Sequence, residues 1–297
     1  MISPELIREK VQSVVQLQAL PAVATKVVEM LDNPKTNTSA LARIISMDQA
    51  LTAKVLKIAN SPFYGFPKKI STIEFAIIVL GYEALKEIVI STSLIGSLEE
   101  ESNGLFDTRA FWDHAIASGV LARRLARDLG YRVSGEAFVG GLLHDMGVSV
   151  LSRYYRDEYQ RIVGIVRETD LNFVEAEETV LGVTHAEVGG WLAERWFLPD
   201  HLVEAVSLHH APANATRNPD LAALIHCGDV FACRIMGTAE FDKGIEFDHD
   251  ALARLQLNDD ARKEEYMASY SSLVQAELAQ LARGADAPEE GVRDHEG

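Results

Sequence analysis

Basic side chains are scarce in this chain of 297 residues: 28 Lys and Arg stand against 44 Asp and Glu, a formal net charge of -16. That balance excludes a nucleic-acid surface, which needs a concentrated basic face. It also repels polyanions unless a local cationic centre, such as a bound metal, attracts them. Cysteine is nearly absent. Cys227 and Cys233 are the two present, in an apolar helical pattern and without CxxC spacing. They support neither a disulfide framework nor a thiolate metal site, and they read as core thiols of a reducing compartment. Aromatic residues make up 7%. No long apolar run is unbroken: the most apolar stretch, FAIIVLGYEALKEIVISTSLIGSL, is interrupted by Gly81, Glu83, Lys86 and Glu87. It is a poor membrane span. The opening MISPELIREKVQSVVQL lacks the basic n-region and long apolar h-region of a signal peptide. A cytoplasmic protein with no membrane or nucleic-acid partner is expected.

Strand-like alternation is missing as well, and helical periodicity takes its place. LPAVATKVVEMLDNP carries apolar residues at 23, 27, 28 and 31, one helical face, and Asn33-Pro34 ends it. NTSALARIISMDQALTAKVLKIANSP holds two helical patterns broken near Ser46-Met47-Asp48. Ser71 or Thr72 starts a further helix running to about Leu80. The polar stretch LEEESNGLFD, 98 to 107, marks the best boundary. Beyond it the pattern predicts helices over about 108 to 129, 135 to 151, 155 to 169, 173 to 181, 185 to 195, 199 to 209, 219 to 237 and 259 to 283. The expected fold is all-α: an N-terminal helical subdomain over 1–100, a helical bundle over 106–283, and a disordered acidic tail over 284–297.

Most of the nine histidines fall where a helix face points inward. His114 follows Phe111-Trp112. His144 and Asp145 are adjacent in GGLLHDMGVSVL. His185 opens a helix, His209-His210 ends another, and Asp229 lies within ALIHCGDVFACRI. Helical bundles build metal sites by pointing such groups inward from facing helices. Imidazole with carboxylate suits iron, manganese, nickel or zinc. Two ions bridged by Asp145 could clamp a phosphoryl oxygen and acidify a shared water. Burying this many polar groups without partners would cost about 1–3 kcal/mol for each one left unsatisfied.

The stretches LPAVATKVVEML, LARIISMDQALTAKVLKIANSPFYG, ISTIEFAIIVLGYEALKEIVI, FWDHAIASGVLARRLA, FVGGLLHDMGVSVL and THAEVGGWLAERWFLPDHLVEAVSLHHAP together resemble the HDOD family. These are the HD-related output domains of bacterial signalling, and the likeness runs from about residue 14 to 215. It implies an HD-like bundle related to the HD and HD-GYP phosphohydrolases. By position it carries over the metal-ligand series His114, His144, Asp145, His185, His209, His210 and Asp229, with one or two ions of iron, manganese, nickel or zinc. Asp145 is the catalytic candidate if the site is hydrolytic.

Three departures speak against turnover. The HD-x-G-K lysine of active relatives is Val148 here, no GYP signature follows the histidine pair, and Ala110 stands where some relatives place a glutamate. The expectation is a regulatory protein that binds a signalling partner or a small anionic ligand, with a metal-dependent phosphohydrolase as the rival. In the rival reading Arg123, Arg127 or Lys54 would have to supply the missing cation. Glu187, two residues after His185, is either a support for that histidine or a solvent-facing acid.

Overall fold

Short polar residues punctuate the chain where helices begin, and their side chains do the capping. Asn37 accepts from Ala40 N at 2.8 Å, Thr72 Oγ1 from Phe75 N at 3.2 Å, and Asp107 from Arg109 N and Ala110 N at 2.9 and 3.0 Å. Each satisfies donors that a helix start leaves without an intrahelical partner. A computed structural model of the chain describes residues 4–14, 22–31, 33, 35–47, 49–60, 70–99, 107–195, 198–237 and 244–285. Among them there is no strand; the fold is all-α.

Among the described residues five helices come first: α1 (Pro4–Val14), α2 (Ala22–Leu31), α3 (Thr38–Ile45), α4 (Gln49–Ala59) and α5 (Ile73–Glu99). Ten follow: α6 (Thr108–Asp128), α7 (Ser134–Leu143), α8 (Met146–Tyr154), α9 (Arg156–Glu168), α10 (Phe173–Leu181), α11 (His185–Arg195), α12 (Asp200–Ser207), α13 (Pro219–Met236), α14 (His249–Arg254) and α15 (Asp260–Ala285). A 3₁₀ turn, Pro212–Asn214, joins α12 to α13.

Two main apolar cores result. The first gathers Val27, Leu41, Ile45, Val55, Ile77, Leu85 and Ile88 from α2 to α5. The helix expected to stop near Leu80 does break there: Gly81 (φ 81, ψ 169) takes a conformation open essentially to glycine alone, and a second helical half of α5 follows the kink. The second, larger core belongs to the bundle, and α13 is its axis: every residue from Leu221 to Cys233 is buried. Helices α6 and α7 touch backbone to backbone, since a Cβ on Gly141 would stand 2.8 Å from the Gly119 Cα. Helix α1 does not join the first core, although the sequence places it in the 1–100 unit. Its Ile7 and Val11 are buried with the bundle.

Two expectations fall outside the described residues: most of the boundary stretch 98–107 and, apart from the last residues of α15, the tail 284–297. Cys227 and Cys233 are buried free thiols of α13. No helix among the described residues is long and apolar enough to cross a membrane.

Candidate metal centre

The apolar run 135 to 151 reads as one helix, yet the structure divides it at the histidine–aspartate step. His144 is the residue after α7 and Asp145 the residue before α8. Close packing accompanies the break: a Cβ at Gly147 would lie 1.9 Å from the His185 carbonyl oxygen and 2.9 Å from Gly189 N. The start of α8 is thus pressed on the backbone of α11, and the chain turns to reach it. The helix expected over 199 to 209 ends at Ser207, short of His209 and His210. They lie in the turn beyond α12, not on it, so the roughly 100° between neighbouring helical side chains no longer separates them. Their ring centroids are 4.0 Å apart and both face the same centre.

The seven predicted residues converge in two adjoining groups. Asp145, His185, His209 and His210 form one, and His114, His144 and Asp229 the other; within each, the ligand atoms all lie within 4.8 Å of one another. Asp145 sits between them with one oxygen turned to each. Its Oδ2 is 3.3 Å from His144 Nε2 and 3.7 Å from His114 Nε2; its Oδ1 is 3.2 Å from His185 Nε2 and 3.7 Å from His209 Nε2. Asp229 Oδ1 lies 3.1 Å from His114 Nε2 and 3.4 Å from His144 Nε2.

The outer nitrogens explain the inner ones. His144 Nδ1 is 2.7 Å from the Gly141 carbonyl, and His209 Nδ1 is 2.7 Å from the Val206 carbonyl. A carbonyl only accepts, so both Nδ1 atoms carry the proton. His185 Nδ1 likewise donates to Glu177 Oε2 at 2.7 Å. The Nε2 atoms face inward: His114 to His144 is 3.3 Å, His185 to His209 3.4 Å, and His210 to His185 2.9 Å. In their neutral forms His144, His185 and His209 therefore turn a lone pair, not a proton, inward at Nε2. Two ligands each about 2.1 Å from a common ion stand about 3–4 Å apart, which matches these spacings. Asp229 Oδ2 is buried with no hydrogen-bond partner, a further lone pair free to bind. The residues fit a metal ion.

Without a metal, protons have to balance the charge. Burial, the largest single influence, disfavours the imidazolium of His144, but Asp145 and Asp229 hold it well above its usual range. Burial likewise opposes charge on His185, yet Glu177 first and Asp145 next raise it to about 10. His210 is pushed to about 3 and His209 well below its ordinary value, by burial and by neighbouring histidines. Asp145 and Asp229 stay ionised against burial because His144 lies beside both.

A cavity of about 270 Å³ opens over the cluster, lined by Asp145, His185, His210 and Asp229, with Val148, His226 and Glu246 among its other walls. No lysine or arginine is among the described residues lining it, and Val148 is one of its walls. Arg123 and Arg127 do not supply the missing cation, because they line a different cleft. The Lys54 side chain lies outside the described residues.

Three residues went unassigned in the sequence. Glu177 of α10 is fully buried and accepts from both the His185 backbone N (2.8 Å) and Nδ1. It lies four residues after Phe173 and three before Val180, the buried face of its helix, and that register was the available signal. His226 has both nitrogens committed, donating to the His209 carbonyl at 2.8 Å and accepting from Asp248 N at 2.8 Å, so it braces the histidine pair and is not a ligand. Glu187 proves to be an exposed capping acid: it accepts from Thr184 N at 2.9 Å while Thr184 Oγ1 accepts from Glu187 N at 3.2 Å.

An all-α bundle that closes seven histidine and aspartate side chains around a paired histidine–aspartate step defines a protein of the HD type. Residues 17–212 match the family model of the HDOD domain, and the chain belongs to that family. An uncharacterised protein of Treponema pallidum (strain Nichols) is 26% identical over 199 residues, which cover 66% of this chain; the chain spans only 38% of that curated relative's length. The crystal structure of an HDOD domain protein of unknown function from Geobacter sulfurreducens is similar with a TM-score of 0.75 and 24% identity, over 93% of this chain and 97% of the other. A protein from Shewanella amazonensis SB2B, provisionally called a phosphohydrolase, is similar with a TM-score of 0.66 and 24% identity, over 89% and 97%. At these identities the two structures speak for the fold.

Proposed function

We propose that this chain is a bacterial regulatory HDOD protein that holds one or two divalent transition metal ions, as a structural or sensing element, and acts by binding a signalling partner or a small anionic ligand. The carrying observation is the set of outward-committed Nδ1 atoms on His144, His185 and His209, which leaves their Nε2 lone pairs converging around Asp145. Nitrogen donors with two carboxylates suit iron, manganese, nickel or zinc. With Val148 and no cation among the described residues of its lining, the cavity offers no side chain to grip the phosphate in turnover, which supports binding over hydrolysis of a phosphate ester.

A second reading, a metal-dependent phosphohydrolase acting on a nucleotide or cyclic dinucleotide, rests on Asp145. Its two oxygens address two ligand groups, as in paired-ion sites that clamp the oxygens of an in-line displacement. Such ions supply a Lewis acid and an acidified water. This chain would then use Asp145 to hold both groups in register.

Elemental analysis of the purified protein beside His144→Ala tests the metal. One or more equivalents in the wild type, lost in the variant, is the expected result; a metal-free wild type after reconstitution would overturn it. Turnover of bis(p-nitrophenyl) phosphate by the loaded protein, lost in His144→Ala, would favour the second reading.

A further inference from the structure

The cleft that receives Arg123 and Arg127 lies apart from the metal centre. It has a volume of about 470 Å³, within the range of small-molecule sites, roughly 300–1,000 Å³. One wall is α5, through Val79, Leu80 and Ala84; the other is the end of α6 and the start of α7. The two cores of the molecule therefore meet across it. We infer that this cleft is a second binding site, specific for a small soluble ligand bearing phosphate.

Three guanidiniums define its chemistry: Arg123, Arg127 and Arg132 all line it, in a chain whose carboxylates outnumber its Lys and Arg by 44 to 28. They are presented in different ways. Arg123 is only 3% exposed, with its guanidinium 5.6 Å from the centroid of Phe138, so its orientation is fixed by packing. Arg127 and Arg132 are exposed and stand at the opening. Of the two acids in the lining, Glu136 turns its carboxylate to His201 at 3.1 Å, which leaves Glu83 as the acid of the rim.

The backbone adds to the cations. Ser134, Gly135 and Glu136 are the first turn of α7 and line the cleft, while Val133 at the cap position gives no side-chain hydrogen bond. First-turn N–H groups have no intrahelical partner, and the helix dipole favours an anion there. Guanidinium forks and helix-start amides both match the oxygens of a phosphate group. Neither the metal nor its ligands take part, so the inference stands apart from the function proposed above.

The place in the fold gives the site a consequence. Arg123 and Arg127 are on α6, which also carries His114, and α7 runs from the cleft to His144. A ligand seated between α5 and α7 would brace the N-terminal core against the two helices that position His114 and His144.

Isothermal titration of the full chain, as purified, with sodium pyrophosphate and separately with ADP tests the site. Binding of either is expected, weakening as NaCl is raised. Arg127→Gln and Arg132→Gln, both surface changes, should each weaken it about ten-fold or more with the circular dichroism spectrum unchanged. His144→Ala should leave it within two-fold of wild type. No binding of either ligand at millimolar concentration would overturn the inference. So would binding that both arginine variants leave unchanged, or binding abolished by His144→Ala, which would place the phosphate at the metal centre.

Discussion

Glu177→Gln removes one charge from a fully buried side chain and keeps its size, so it isolates what that charge does for His185. Glutamine can still accept one hydrogen bond, but it no longer holds a proton on Nδ1 by ionic attraction, and the basicity of the inward-facing Nε2 falls. Carboxylates behind metal-binding histidines typically contribute 10–100-fold in affinity. That corresponds to about 1.4–2.8 kcal/mol. Competition against a chromophoric chelator should therefore show metal binding weakened by one to two orders of magnitude. The exposed neighbour Glu178 is the control, and Glu178→Gln should bind as the wild type does. The metal-free protein gives a second reading. His185 is raised to about 10, so the stability from its charged form is fully present below pH 6.5 and is lost as pH rises through about 10. In Glu177→Gln the upper end of that window should fall, because Asp145 is left as the main support of the imidazolium. Denaturant titrations from pH 6 to 10 would show it. A folded Glu177→Gln protein with wild-type metal affinity and an unchanged stability profile would refute the role given to this carboxylate.

Three further perturbations address the frame around the site. Gly147→Ala puts a methyl 1.9 Å from the His185 carbonyl, where ordinary contact begins near 3.4 Å, so α8 and α11 must part by about 1.5 Å. Metal content should fall and the melting temperature drop, whereas Gly164→Ala, which meets nothing within 4 Å, should be neutral or stabilising in the same scan. Asn60 donates to the Leu56 and Ile70 carbonyls at 2.8 and 2.7 Å and accepts from Ile70 N at 2.7 Å, so Asn60→Ala should cost about 3 kcal/mol at about 1 kcal/mol per bond. Urea denaturation would measure that loss. Glu204 is held below the usual carboxylate range: burial acts to raise it, but hydrogen bonds from Thr216, Arg217 and Asn218 outweigh burial. Its stabilisation is present above about pH 4.5 and lost as pH falls through the lowered value, and Glu204→Gln should remove that acid dependence in a stability titration.

Much of the fold was legible because helix starts carry their own chemistry. The predicted spans 173 to 181 and 185 to 195 coincide with α10 and α11, one closed by Gly182 in the left-handed region and the other opened by Thr184 and Glu187. The seven ligand candidates were legible because polar side chains in apolar helical faces stand out. What was hidden depended on contacts between distant segments. The break at His144–Asp145 lies in a run whose periodicity is continuous, and the close seat of Gly147 on the α11 backbone just beyond it is a tertiary contact. Glu177 shares the inward register of Phe173 and Val180, but that it meets His185 there is a tertiary fact. Helix α14, six residues opened by Asp248, is too short for any periodicity to register.

Helix α1 has a bearing on how the molecule can be divided. It precedes the N-terminal core in sequence but lodges Ile7 and Val11 in the bundle. The bundle is therefore discontinuous, and residues 22–99 are an insertion tethered at both ends. Cutting the chain near residue 100 would discard α1 and expose two apolar seats, at about 1.5–3 kcal/mol each. Excising the insertion while joining α1 to α6 through a flexible linker would keep Ile7 and Val11 in their seats but uncover the face of α7 that meets α5. The same double tether limits the inserted unit to pivoting in place; it has no free end by which to swing away.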